Sequence, residues 1–185
     1  GAVVGTAVGA VTGYFGGLVD DALMRINDAL TAFPSILMAL LVISLLGPER
    51  KSSLILALGI VFIPSFARVT RTAFASLRDV NYITSARLMG AGNGRILLVH
   101  LLPNTGRVLL PALTIGFNNA VLAEASMSFL GVGVSASEVS LGRMLSDSQN
   151  YILRGLPWYA VFVGLTIALL ILGFSLLGEG LQQRR

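Results

Sequence analysis

The sequence predicts an all-α, polytopic transmembrane helical bundle, and three observations predict it. Of its 185 residues, 55% are hydrophobic and only 12% charged, whereas soluble domains carry about 25% charged residues. The mean hydropathy is +0.82, and several apolar runs approach the ~20 residues that a bilayer crossing requires. The opening run GAVVGTAVGAVTGYFGG places glycine at 1, 5, 9, 13 and 17. In water that spacing makes a poor helix, since each interior glycine costs ~1 kcal/mol relative to alanine. In hydrocarbon the helix is enforced because backbone groups find no water, and small residues four apart let a neighbouring helix come close.

Five apolar stretches follow in order, at roughly 1–19, 29–47, 53–67, 104–124 and 157–178, within a single domain over residues 1–185. The first is expected to be one span, with Gly1, Gly5, Gly9, Gly13 and Gly17 forming a helix-packing ridge that spirals around it, because four residues advance about 400°. It opens on glycine inside an apolar run, so an upstream span is expected to be missing. A charged cluster comes next, Asp20, Asp21, Arg25 and Asp28, in which Asp21 and Arg25 are spaced as a helical ion pair. Pro34 and Pro103 lie near span starts, where proline is tolerated. Pro64 and Pro111 fall inside apolar runs and are expected to mark kinks.

Orientation follows from the basic residues of alternating connections. Arg25, Arg68, Arg71, Arg78, Arg87, Arg95, Arg107, Arg184 and Arg185 share one side, and Arg50, Lys51, Arg143 and Arg154 the other. The first group marks the cytoplasm of a multi-pass protein of the cell membrane. The net charge of +4 is spread among apolar spans in contact with membrane lipid, so it is read as a topology signal, and no nucleic-acid partner is expected.

Several chemistries lack material. With no cysteine there is no disulfide, thiolate metal site or cysteine nucleophile. A single histidine, His100, leaves a histidine-rich metal site impossible, and its expected role is packing or a hydrogen bond at a helix start. The one lysine, Lys51, follows Arg50 rather than glycine, so no P-loop is present. No cofactor is expected. Within the fourth stretch, Asn118, Asn119 and Glu124 interrupt apolar sequence. Such groups usually face a bundle interior or a wet cavity, which makes them candidates for a translocation pathway. The bland alternative is Glu124 in water at the outer interface. SFLGVG at 128–133 is a candidate outer-gate loop.

The most informative segment is LRDVNYITSARLMGAGNGRILLVHLLPN, residues 77–104, on the cytoplasmic side. Tyr82, Ile83, Ala86, Leu88 and Met89 are its apolar members before glycines at 90, 92 and 94. That pattern predicts a short amphipathic helix, a turn, and a second helix from Arg95 leading to a span. A loop resting on the headgroups is the alternative.

Thr84-Ser85-Ala86, then Gly90, then Leu102-Pro103 resembles the Glu-Ala-Ala cytoplasmic loop of ABC-importer permeases. VHLLPN at 99–104, GYFGGLVDDALMRINDALTAFPS at 13–35 and AEASMSFLGVGV at 123–134 are similar to the second permease subunit of dipeptide, oligopeptide and nickel importers. Thr84 stands in place of the usual acidic residue and Ser85 in place of the first alanine. Leu141, Val163, Ser175 and Glu179 depart from that family's tryptophan, proline, asparagine and aspartate.

The resemblance implies a type I ABC importer permease, a non-catalytic subunit. It would pair with a homologous permease, two ABC ATPase subunits and an extracytoplasmic solute-binding protein. It implies that 80–91 is a coupling helix in which Tyr82, Thr84, Ser85, Ala86, Leu88, Met89 and Gly90 serve ATPase coupling, with Ala86 and Gly90 allowing close approach. Dipeptides or oligopeptides are the implied cargo, with nickel as an alternative. An ion-coupled secondary transporter and a membrane-embedded enzyme are the readings from other classes.

Overall fold

A computed structural model describes residues 1–47, 50–133, 135 and 138–183, so Arg184 and Arg185 of the orientation argument and Val134 of the third motif lie outside it. The described residues are helical throughout their regular structure: α1 (Ala2–Phe15), α2 (Gly17–Thr31), α3 (Ser35–Leu46), α4 (Lys51–Leu77), α5 (Asn81–Leu88), α6 (Asn93–Arg95), a π-helical stretch (Ile96–Leu101), α7 (Leu102–Asn104), α8 (Gly106–Phe129), α9 (Leu141–Leu153) and α10 (Trp158–Gln183). The backbone divides into two compact units. Among the described residues, one holds 1–32, 62–113 and 181–183, and the other those within 33–61 and 114–180.

Three helices, α4, α8 and α10, are long and apolar enough to cross a membrane, and a fourth crossing is available if α2 and α3, bent by 90° at the break between them, make one span. The five-stretch reading differs at its start. Gly16 and Gly17 both adopt positive φ, 65° and 53°, so the run expected to be one span at 1–19 stops at Phe15 and restarts as a separate helix. Pro34 sits at the N-cap of α3 with extended backbone, and the bend falls there because the residue before a proline is pushed away from helical geometry. The helices α4 and α8 continue as single elements across Pro64 and Pro111. Unforeseen is α9, whose alternation of Leu141, Met144, Leu145 and Ile152 with polar residues makes a helix that Ser140 caps by accepting the Arg143 N–H at 3.1 Å.

In the first unit α1 and the second half of α4 run parallel, because successive glycines of α1 meet successive turns of α4. A methyl group on Gly5 would stand 2.6 Å from both the Ile63 carbonyl oxygen and Phe66 Cβ; one on Gly9 would overlap the Ala67 carbonyl oxygen and lie 2.6 Å from Thr70 Cβ; one on Gly13 would lie 2.5 Å from the Arg71 carbonyl oxygen. The backbones therefore touch, which supplies dispersion where water exclusion supplies nothing. Gly1 is the exposed N-cap of α1, and Gly17 is exposed with open space about its α-carbon. These two members of the ridge lie beyond the contact, since the ridge ends where the helix does.

Antiparallel to α4, α2 is held by polar groups. Asp20 accepts two hydrogen bonds from Arg71 at 2.5 Å, Asn27 Nδ2 donates to the Pro64 carbonyl at 3.4 Å, and Arg68 bridges Asp28 and Thr31 at 3.1 and 2.8 Å. The acidic cluster thus reaches across to α4, and among the described residues no ion pair joins Asp21 to Arg25.

In the second unit, Ala39 and Ile43 of α3 pack with Leu54 and Ala57 of α4 and Met127 of α8. Val163 and Ile167 of α10 pack with Ala125 of α8, beside Leu141 and Leu145 of α9. Gly142 lies so close to α8 that a methyl there would overlap the Ala125 carbonyl oxygen.

Candidate functional site

The segment that carries the strongest functional pattern, 77–104, folds as a helix-turn-helix within the first unit. Arg78 and Asp79 pair side by side at 3.1 Å, and Val80, in extended backbone, starts α5 by accepting the Ile83 and Thr84 N–H groups at 2.9 and 3.2 Å. The helix stops in a Schellman motif. The Ala91 N–H donates to the Ala86 carbonyl and the Gly90 N–H to the Arg87 carbonyl, both at 3.0 Å, with Gly90 left-handed at φ 84°. These two bonds satisfy carbonyls that a helix end would leave orphaned.

The two sides of α5 differ sharply. Ile83 and Ala86 are buried, while Tyr82, Thr84, Ser85, Leu88 and Met89 are exposed, the last two at 85% and 82%. Ala86 therefore faces into the unit. A methyl group on Gly90 would meet nothing within 4 Å in the chain itself, and Gly90 holds the left-handed angle that the turn requires. The inward face of so short a helix needs a small residue where it meets the helices beneath it, and its end needs a left-handed residue.

Beneath α5 lies a buried cluster of Tyr14 from α1, Phe74 from α4, Ile83, and Ile96 and Leu101 from the π-helical stretch. Periodicity did not single out Tyr14, and its only signal in the sequence was a polar-tipped ring closing an apolar run. The Tyr14 hydroxyl donates to Asn93 Oδ1 at 2.8 Å and accepts from Arg87 Nη2 at 3.4 Å, and the Arg87 guanidinium carbon lies 5.8 Å from the ring centre. Farther along, Asn104 Nδ2 donates to the His100 carbonyl at 2.7 Å and to the Tyr82 hydroxyl at 3.4 Å. The π-helical stretch ends just before Pro103, where the Leu102 N–H reaches back five residues to the Leu97 carbonyl. Pro103 has no N–H to donate to Val99, and the wider turn relieves the clash of its ring with the preceding turn.

The polar residues of α8 do not gather on one surface. Asn118 Nδ2 donates to Ser175 Oγ of α10 at 2.8 Å, beside Phe117 stacked on Phe174 with ring centres 3.7 Å apart. Asn119 is exposed. Glu124 is half-buried and accepts from Ser128 Oγ, one turn on, at 2.7 Å. The 128–133 loop closes α8 with the same hydrogen-bond pattern as α5, Val132 N–H to Met127 at 2.9 Å and Gly131 N–H to Ser128 at 3.1 Å.

Residues 5–185 match the family model described as binding-protein-dependent transport system inner membrane component. Among curated relatives, the chain is 41% identical over 97% of its length to a dipeptide transport system permease protein of Alkalihalophilus pseudofirmus. It is 36% identical over 96% of its length to a dipeptide permease of Haemophilus influenzae, and 36% identical over 98% to a glutathione transport system permease of Pectobacterium atrosepticum. The chain spans about six-tenths of those proteins, 59%, 60% and 60% of their respective lengths.

Proposed function

This chain belongs to the binding-protein-dependent transport system inner membrane component family, and on that premise we propose that it is the permease subunit of an ATP-driven ABC importer for dipeptides or oligopeptides. The subunit itself is non-catalytic. It works with a homologous permease, two ATPase subunits that hydrolyse the nucleotide, and an extracytoplasmic solute-binding protein that delivers the cargo. Peptide cargo rests on the names of the relatives, among which dipeptide, di/tripeptide and glutathione systems recur.

The observation that carries the reading is the two-sided build of α5. Its outer side presents Tyr82, Thr84, Ser85, Leu88 and Met89, and its inner side, Ile83 and Ala86, is buried. A short helix that leaves Tyr82, Leu88 and Met89 exposed about two turns apart suits a groove on a partner, here the ATPase. Exposed Leu88 and Met89 are costly in water, and burying each fully against a partner is worth up to ~1.5–3 kcal/mol. Gly5, Gly9 and Gly13 hold α1 against α4 as a helix pair that moves together, and Asn118, Asn119 and Glu124 are the candidate pathway groups.

The test is a cysteine at Ser85 or Met89 in the full-length permease, crosslinked to cysteines around the groove of its ATPase subunit. Crosslinks and ATP-dependent uptake of a dipeptide into proteoliposomes are expected. Uptake that runs without the ATPase would replace this reading with an ion-coupled transporter.

A further inference from the structure

We propose that Tyr14 is the positioning residue that ties the coupling helix to the transmembrane helices, so that displacement of α5 moves α1 and α4 rather than only the loop. The inference rests on the reading of α5 as the ATPase contact and goes beyond it.

Three observations meet at this side chain. Its ring is buried, at 8% exposure, against Phe74 of α4, Ile83 of α5, and Ile96 and Leu101 beyond the turn. Its hydroxyl is the middle of a relay: Arg87 near the end of α5 donates to it, and it donates to Asn93 at the start of α6. It thereby ties the end of α5 to the start of α6 across the 89–92 turn, where Gly90 is left-handed. Tyr14 also follows directly on Gly13, whose backbone touches α4 at Arg71 and Phe74. A push on α5 therefore reaches α1 through a ring and a hydrogen-bonded hydroxyl, and reaches α4 through contact between backbones. Packed contacts of this kind carry coupling when they join rigid elements.

The hydroxyl and the ring separate experimentally. Tyr14→Phe keeps the ring and removes the relay, and Asn93→Ala removes the acceptor from an exposed position, so neither change opens the core. Full-length permease carrying each change is assembled with its partners in proteoliposomes, and uptake of labelled dialanine is measured against ATP hydrolysed. Each variant is expected to lower solute carried per ATP by about 3- to 10-fold, the size of one lost hydrogen bond to a partly buried group, with thermal stability and ATPase copurification as in the parent. The double variant is expected to do no worse than either single one, because both break the same link. An unchanged ratio in both variants, with the Ser85 crosslink to the ATPase intact, overturns the role of Tyr14 and leaves the coupling helix standing. Absence of that crosslink in the parent overturns the coupling helix and this inference with it.

Discussion

Along α1, Gly5, Gly9 and Gly13 have ordinary helical backbone and no room for a methyl group; at the end of α5, Gly90 has ample room and a backbone angle that side chains resist. One residue type thus answers two physical demands. In α1 the missing Cβ lets two backbones meet. In the turn after α5 it removes the clash between Cβ and carbonyl that costs other residues roughly 1–2 kcal/mol in the left-handed region. The lesson is that glycine spacing in a membrane protein reports packing only inside a continuous helix, and reports chain reversal at its ends.

The comparison predicts a graded series of losses. Gly9→Leu is the most damaging, because Ala67 and Thr70 present backbone and Cβ atoms that cannot swing away. Overpacking of this kind costs ~1–3 kcal/mol or more, read as a fall in the thermal unfolding midpoint in detergent and loss of a disulfide engineered between α1 and α4. A variant as stable as the parent would break the backbone-contact account.

Gly90→Ala comes next, at about 1–2 kcal/mol, but its loss is local. Amide exchange over 86–95 is expected to quicken while the melting of α1 and α4 holds, and Gly90→Asn is expected to recover part of the loss because asparagine tolerates left-handed backbone. If Gly90→Leu proved no worse than Gly90→Ala, that would sharpen the contrast, since open space admits any side chain once the angle is paid for.

Asp20→Asn probes a third way of meeting α4. It weakens the paired hydrogen bonds to Arg71, whose side chain is 42% exposed, so solvent screening limits the cost to ~1 kcal/mol, visible as easier proteolysis between α2 and α3. Gly164→Ala should be the mildest: nothing stands near that position in α10, and helix propensity alone predicts a change of zero to ~1 kcal/mol in the stabilising direction. Destabilisation there would reveal a close neighbour in the assembled transporter.

Much of this was legible in the sequence and some was not. The all-helical membrane class follows from composition, and the short helix, glycine turn and second helix of 77–104 follow from periodicity. Gly5, Gly9 and Gly13, spaced four apart, meet α4 backbone to backbone; spacing says which side of a helix a residue would occupy but not whether the helix reaches it, and the positive φ of Gly16 and Gly17 belongs to the chain reversal into α2. Asp21 and Arg25 have the spacing of a helical pair, yet among the described residues no ion pair joins them, and it is Asp20 beside them that reaches Arg71 of α4, a contact invisible without the fold. The inward turn of Ala86 and the place of Tyr14 escaped for the same reason: both are set by contacts between segments far apart in the chain, and local pattern carries no record of them.

The π-helical stretch before Pro103 stores one surplus residue in a helix that is otherwise wound to the usual pitch. Were those six residues to shed it and rewind as an ordinary α-helix, everything on the α5 side would swivel by about 100° relative to α8. Pro103, with no N–H for Val99 and a ring that crowds the preceding turn, holds the wide turn in place and so fixes the direction in which α5 leaves the helix that leads into α8.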